Sequence, residues 1–170
     1  ELSEVLRGTG IWVISDEIYE KLLFDGLKHY SPAAISPDME KRTILISGAS
    51  KGYAMTGWRV GIVGGNRAII AAMAKLQGQQ TTCLPEFIQD AAAFALREND
   101  QVKAAMKTMS DAYLSRRDAA LERFKNMPEI GVFKPQGAFY IWADFSHAMA
   151  RKGIKDDMDL AIRLLKEAHV

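Results

Sequence analysis

Residues 43–61, TILISGASKGYAMTGWRVG, decide how this chain is read. The stretch opens on an apolar, β-branched run at 43–47, the pattern of a strand buried on both faces. Small residues and a lysine follow in GASKG, and a second apolar run, WRVGIV, occupies 58–63. Upstream, IWVI at 11–14 is a third run of the same kind, closing in the polar cluster SDEIYE. In open α/β sheets, ligands bind at the carboxyl ends of strands. Two of these ends carry polar residues that an ordinary loop does not require: Asp16 and Tyr19 past IWVI, and Lys51 past TILIS. Arg59, eight residues after Lys51, enters the WRVGIV run between Trp58 and Val60. A guanidinium buried in such a strand needs an anionic partner.

Downstream of this region the period turns helical. Ile69, Ile70, Met73 and Leu76 mark one helix from about Asn66. Pro85 suits the first position of the next, with Phe87, Ile88, Ala91, Phe94 and Ala95 on its apolar face. A long helix is expected over 101–125, a strand over 138–145 (AFYIWADF) and a last helix over 156–168. Met residues at helical spacing read as core filler. Residues 25–42, with Pro32 and Pro37, read as loop or short helix. Buried strands followed by helices argue an α/β fold with a mainly parallel sheet and flanking helices. The expected division falls inside the long helix, with one domain at 1–115 and a second at 116–170.

Composition narrows the function classes. Hydrophobic residues make up 48% of the 170 and charged residues 25%, as in a soluble globular protein. The formal charge is +1, which argues against a nucleic-acid or membrane-surface partner. One cysteine, Cys83, and three scattered histidines supply no zinc-ligand spacing. A cytoplasmic location is the expectation. ELSEVLR at 1–7 reads as the last turns of a helix capped by Gly8, and DLAIRLLKEAHV closes the chain as an amphipathic helix without a stop signal. These ends suggest an internal segment of a longer protein.

Taken singly, each polar candidate has a bland explanation. Asp16 could be a turn cap, Tyr19 a rim aromatic and Lys51 a solvated lysine. Their order and contexts make the combination specific. SGASKGYAMTGWRVG at 47–61 resembles the cofactor-lysine segment of the class I/II aminotransferases, fold-type I enzymes dependent on pyridoxal 5′-phosphate (PLP). VISDEIYEKLLFDG at 13–26 is similar to the strand-end motif that meets the pyridine ring in that family, and FKPQGAFYIWADFS at 133–146 to the small-domain strand after the long helix. The resemblance covers essentially the whole chain in the family's order, with the flavour of the aspartate and aromatic amino acid enzymes.

The resemblance implies the second half of a PLP-transferase large domain, plus part of the small C-terminal α+β domain. It implies that Lys51 holds PLP covalently through its ε-amine and moves the reacting proton, for which the lysine must be neutral. Asp16 would pair with the protonated pyridine nitrogen, and Tyr19 would donate to the cofactor's phenolic oxygen. Arg59 would hold the phosphate in a bidentate fork. Several family members place a serine three residues before the lysine, where this chain has Gly48. Either the Ser50 hydroxyl or a backbone N–H of the same turn would then meet the phosphate. Gly52 and Gly57 read as tight-packing positions. Gln80, Thr81 and Thr82 resemble a segment near the family's dimer interface, which implies a homodimer.

The implied function is transamination between an amino acid and a 2-oxo acid. The family's upstream ring-stacking aromatic, glycine-rich turn and asparagine, and its downstream carboxylate-binding arginine, have no counterpart in 1–170. The segment alone is therefore expected to be incomplete for catalysis. Two further readings are another fold-type I PLP enzyme, such as a carbon–sulfur lyase, and a non-catalytic fragment that keeps the fold.

Overall fold

The computed structural model describes residues 1–170, which form two compact units, Glu1–Ser110 and Asp111–Val170. In the first unit, helix α1 (Leu2–Leu6) ends before Gly8, whose φ of +74° is the left-handed conformation glycine accepts without a Cβ penalty. Strand β1 (Val13–Asp16), helix α2 (Pro37–Arg42) and strand β2 (Thr43–Gly48) follow. Ser36 starts α2 by accepting from the Met39 N–H at 3.2 Å, with Pro37 pre-set for the first turn. A short helix α3 (Ala49–Gly52) leads through a 3-10 turn (Thr56–Trp58) to β3 (Gly61–Gly64). Helices α4 (Arg67–Gln80), α5 (Glu86–Leu96) and α6 (Asp100–Phe124) come next, and α6 contributes residues to both units.

The sheet order is β1-β2-β3. β1 and β2 are parallel, with Val13 opposite Thr43 and Asp16 opposite Ile46. β3 returns antiparallel, placing Gly61 opposite Gly48. The α/β class stands, but this three-stranded sheet is mixed: the segment between β2 and β3 turns straight back and does not cross over. Leu22, Phe24, Met39 and Thr43 are almost fully buried. A second cluster joins Ala49, Val60 and Ala92, with Tyr53, Met55, Leu84 and Ile88 packed against it. Burying each large apolar side chain contributes about 1.5–3 kcal/mol. This cluster seats α5 against the turn that carries Lys51.

Several expectations are corrected. β1 is not buried on both faces: its residues alternate between half-buried and exposed, and Ile14 is 69% exposed, because successive side chains of a strand point to opposite faces of the sheet. Trp58 and Arg59 lie outside β3. Arg59 sits in the left-handed region at φ 55°, which ends the 3-10 turn and prevents strand pairing there. Arg59 is exposed, so the buried-arginine argument does not hold. Met73 and Leu76 on α4 are exposed, whereas Met39 is fully buried.

In the second unit, β4 (Gly131–Val132) pairs antiparallel with β5 (Ala143–Asp144). The strand expected over 138–145 shrinks to two residues for two reasons. Its partner offers two residues, and Ala138 at φ 59° breaks the extended chain where the strand would begin. Helix α7 (Ser146–Lys152) escaped the sequence reading, although Asp144 Oδ1 accepting from the Ser146 N–H and Gly153 at φ +64° are ordinary start and stop signals. α8 (Asp157–Arg163) is capped by Asp156, and the chain continues through a π-helical turn, Leu164–Ala168. Arg117 is buried and donates to the Pro135 carbonyl and the Asp118 carboxylate. No helix is long and apolar enough to cross a membrane.

The tight packing at Gly48 generates a test. A Cβ at Gly48 would sit 2.6 Å from the Val60 carbonyl oxygen and 3.2 Å from Ile18 Cδ1. Gly48→Ala should therefore cost about 1–3 kcal/mol through overpacking. Urea denaturation measures it, and an unchanged midpoint would contradict the close approach.

Candidate active site

The parallel register of β1 and β2 puts their carboxyl ends on one edge. Asp16 is the last residue of β1, opposite Ile46, and Lys51 lies in α3 just past the end of β2. Asp16 is exposed, and its Oδ1 accepts from the Ile18 N–H at 3.2 Å. That bond is the turn-capping role of the bland reading, and it engages one oxygen of two. Tyr19 stands in the turn after β1, half-buried, with the Lys51 ammonium 6.0 Å above its ring centroid. At that distance a cation over an aromatic face is attracted by the ring quadrupole.

The remaining two candidates flank one backbone hydrogen bond. Ala49 N–H donates to the Val60 carbonyl at 3.2 Å. Ser50 and Arg59 are each one residue beyond it on their own segments. Arg59 donates from one guanidinium nitrogen to the Thr56 carbonyl at 3.0 Å, within its own turn. The clash that a Cβ would make at Gly48 explains why this chain has glycine there. Gly52 is also a tight position: its Cβ would meet the Lys21 side chain at 3.0 Å. Gly57 is not, since a Cβ there meets nothing within 4 Å, which corrects the expectation for that residue.

Two polar clusters beside this edge were missed from the sequence. In the first, Glu98 Oε1 lies 2.7 Å from Lys21 Nζ and accepts from the Tyr53 hydroxyl at 2.7 Å. Lys21 packs on Gly52 and Tyr53 follows it, so Glu98 ties the Lys51 turn to the segment after β1. The Lys21 ammonium and then the Tyr53 hydroxyl hold Glu98 below its usual value, while burial and then Glu98 push the Tyr53 phenol up. Glu98 adopts φ 46°, an uncommon conformation for a side chain of its size. No motif spacing announces this cluster, because Lys21 and Glu98 are far apart in sequence.

In the second cluster, Glu17 is 4% exposed. Its two oxygens lie 2.6 Å from His29 Nε2 and accept from the Ser31 hydroxyl at 2.6 Å. Burial alone would raise this carboxyl, but bonds from Ser31, His29 and Ser15 outweigh it and leave the net shift downward. The signal that could have found it is an acid directly after the strand-end Asp16, at a position whose alternation points inward.

A further apolar hollow of about 340 Å³ lies beside the same turn, lined by Tyr53, Met55, Trp58, Phe94, Met106 and Met109 among others.

The sequence model of the family described as aminotransferase class I and II matches residues 1–170. The aspartate aminotransferase of Rhizobium meliloti is 35% identical over 174 residues, which cover 99% of this chain and 42% of that protein. The aspartate aminotransferase of a Bacillus species is 37% identical over 170 residues, covering 100% of this chain and 43% of its own length. The crystal structure of an aromatic aminotransferase from Pyrococcus horikoshii superposes with a TM-score of 0.88 at 37% identity, covering 99% of this chain and 43% of that one. The chain thus spans well under half the length of these relatives.

The Glu98 cluster makes a pH prediction. A carboxyl lowered on folding stabilises the fold fully above the unfolded value of about 4.3, and that contribution is lost as pH falls through the folded value. The loss of stability on acidification should be shallower in Glu98→Gln than in the wild type, followed by denaturation at a series of pH values. Tyr53→Phe should cost about 1–2 kcal/mol at neutral pH, since it removes a bond to a charged acceptor. Parallel acid profiles for Glu98→Gln and wild type would refute the assignment.

Proposed function

Because the chain belongs to the class I and II aminotransferases, matched along residues 1–170, we propose that it serves PLP-dependent transfer of an amino group between an amino acid and a 2-oxo acid. The observation that carries this reading is the shared strand edge: Asp16 ends β1, the neighbouring parallel strand leads into Lys51, and the Lys51 amine stands over Tyr19.

The donor set fits the cofactor group by group. Lys51 offers an amine to an aldehyde, Asp16 a carboxylate to a protonated ring nitrogen and Tyr19 a phenol to a ring oxygen. Ser50 and Arg59 offer a hydroxyl and a cationic fork to a phosphate. The Ala49 N–H is already engaged by Val60, which favours the Ser50 hydroxyl over that backbone group. When bound, PLP supplies an electron-poor ring that draws negative charge from the substrate's α-carbon. Lys51, in its neutral form, moves the proton at that α-carbon. Asp16 keeps the ring nitrogen protonated by balancing its charge. Tyr19 orients the ring oxygen, and Arg59 with Ser50 fixes the phosphate end, so that the reacting atoms are held in place.

The same reading takes residues 1–115 as part of the large cofactor-binding domain and 116–170 as part of the small domain, with the division inside α6. It includes a homodimer, supported by the resemblance of Gln80, Thr81 and Thr82 to an interface segment, and a cytoplasmic location.

In the full-length protein, Lys51→Ala should abolish the borohydride-reducible link to PLP while phosphate-mediated binding persists. A trappable adduct on the variant would remove Lys51 from its role. Asp16→Asn should lower turnover by roughly a thousandfold, equivalent to about 4 kcal/mol of barrier, and affect PLP affinity far less. Near-normal turnover would leave Asp16 with its turn-capping bond alone. Formation of an oxo acid with transfer of the amino group supports transamination, whereas pyruvate and ammonia would indicate the lyase.

A further inference from the structure

We propose that Glu17 is a positioning residue whose buried carboxylate, clamped by His29 and Ser31, fixes the carboxyl end of β1 and so sets where Asp16 and Tyr19 stand. The inference rests on the PLP reading above and concerns residues that the reading does not use.

Glu17 lies between the two residues assigned to the cofactor ring. Its N–H donates to the Ile46 carbonyl at 2.7 Å, which carries the β1–β2 ladder one step past Asp16. Its own carbonyl accepts from the Glu20 N–H at 3.0 Å, closing the turn that presents Tyr19. The next bond along, from the Leu22 N–H to the Tyr19 carbonyl at 2.9 Å, leads to the fully buried Leu22. The main chain from Asp16 to Leu22 is therefore pinned at both ends and in the middle.

The Glu17 side chain adds a connection that the backbone cannot make. It reaches residues 12 and 14 positions downstream, His29 at 2.6 Å and Ser31 at 2.6 Å. The Ser31 oxygen in turn accepts from the Ala33 N–H at 3.3 Å and starts the 3-10 turn Pro32–Ala34. The flanking residues Lys28 and Tyr30 are exposed, so this carboxylate anchors an otherwise superficial loop to the site edge. A buried carboxylate costs several kcal/mol in desolvation unless it is fully hydrogen-bonded. Glu17 is stable in this place only while the loop is docked, so its carboxylate couples the loop to a strand end that the backbone bonds already hold.

Glu20 brings a third ligand atom to within 4.8 Å of those of Glu17 and His29. Both Glu17 oxygens are engaged by His29 and Ser31, the arrangement of a hydrogen-bonded clamp.

The consequence is geometric. Catalytic groups must be held within about 0.5 Å of their productive positions by supporting residues, and Asp16 and Tyr19 flank the clamp on its two sides. Glu17→Ala removes both bonds and leaves the His29 and Ser31 donors without their partner. Glu17→Gln keeps the shape, an acceptor for Ser31 and an amide group facing the His29 ring nitrogen.

The test uses the full-length protein loaded with PLP. The absorbance of the bound cofactor is titrated against pH, beside a PLP dissociation constant and a Tm for the unloaded protein. In Glu17→Ala the absorbance midpoint should move by about one pH unit, a tenfold change in proton affinity, and Glu17→Gln should restore most of it. His29→Ala, on the loop side, should shift the midpoint in the same direction even if Glu17→Ala fails to fold. A role confined to stability would lower Tm and leave the absorbance titration and PLP affinity unmoved, and that result overturns the inference. A wild type lacking the borohydride-reducible link overturns the reading of Lys51, and this inference with it. A wild type with the link and an unmoved titration in both the Glu17→Ala and His29→Ala variants overturns this inference alone.

Discussion

The approach of Gly48 to the Val60 carbonyl organises everything around it. A Cβ at this position would lie 2.6 Å from that oxygen, inside any real contact distance. Glycine lets the chain leave β2 and turn directly into α3 while Ala49 donates to the same carbonyl at 3.2 Å. The turn therefore sits flush on the entry to β3. This brings Ser50 and Arg59, nine positions apart, to the two sides of one hydrogen bond. It also presses Ala49 against Val60 and Ala92, so the lysine turn shares its seat with the core of the first unit.

A four-residue helix such as α3 has little stability of its own, because helix nucleation is costly and too few bonds follow it. Its order comes from neighbours. Apolar packing from α5 holds it on one side. On another, Lys21 lies over Gly52 and meets Glu98, which also receives the Tyr53 hydroxyl. Glu98 holds an unfavourable backbone conformation at φ 46° to do so. The strand end opposite is held by Glu17, His29 and Ser31. Half-buried charged groups, each with its partners, thus frame the edge where an amine, a phenol and a carboxylate are presented.

The two strand ends share an edge because β1 and β2 are parallel. Had they been antiparallel, Asp16 and the Lys51 turn would lie at opposite ends of the ladder. The mixed sheet keeps the parallel pair where the candidate groups need it and uses the antiparallel return of β3 to bring Arg59 back to the same end.

Sequence by itself determined the α/β class, the run into β2 and the positions of α4 to α6 within a few residues, and its family resemblance supplied the five residues that the proposed cofactor reading uses. These rest on local properties: hydrophobic period, helix-end signals such as Gly8 and Pro85, and a motif that resembles one family's. Tertiary structure decided what depends on residues distant in the chain. It removed Arg59 from the strand, because a left-handed backbone at φ 55° is invisible to an apolar pattern. It shortened the strand at 138–145 to Ala143–Asp144, because a ladder is no longer than its partner allows. It made Glu17 and Glu98 buried or half-buried anchors, because an acid's burial is set by donors that fold up to it, and those donors lie 12 to 77 positions away along the chain.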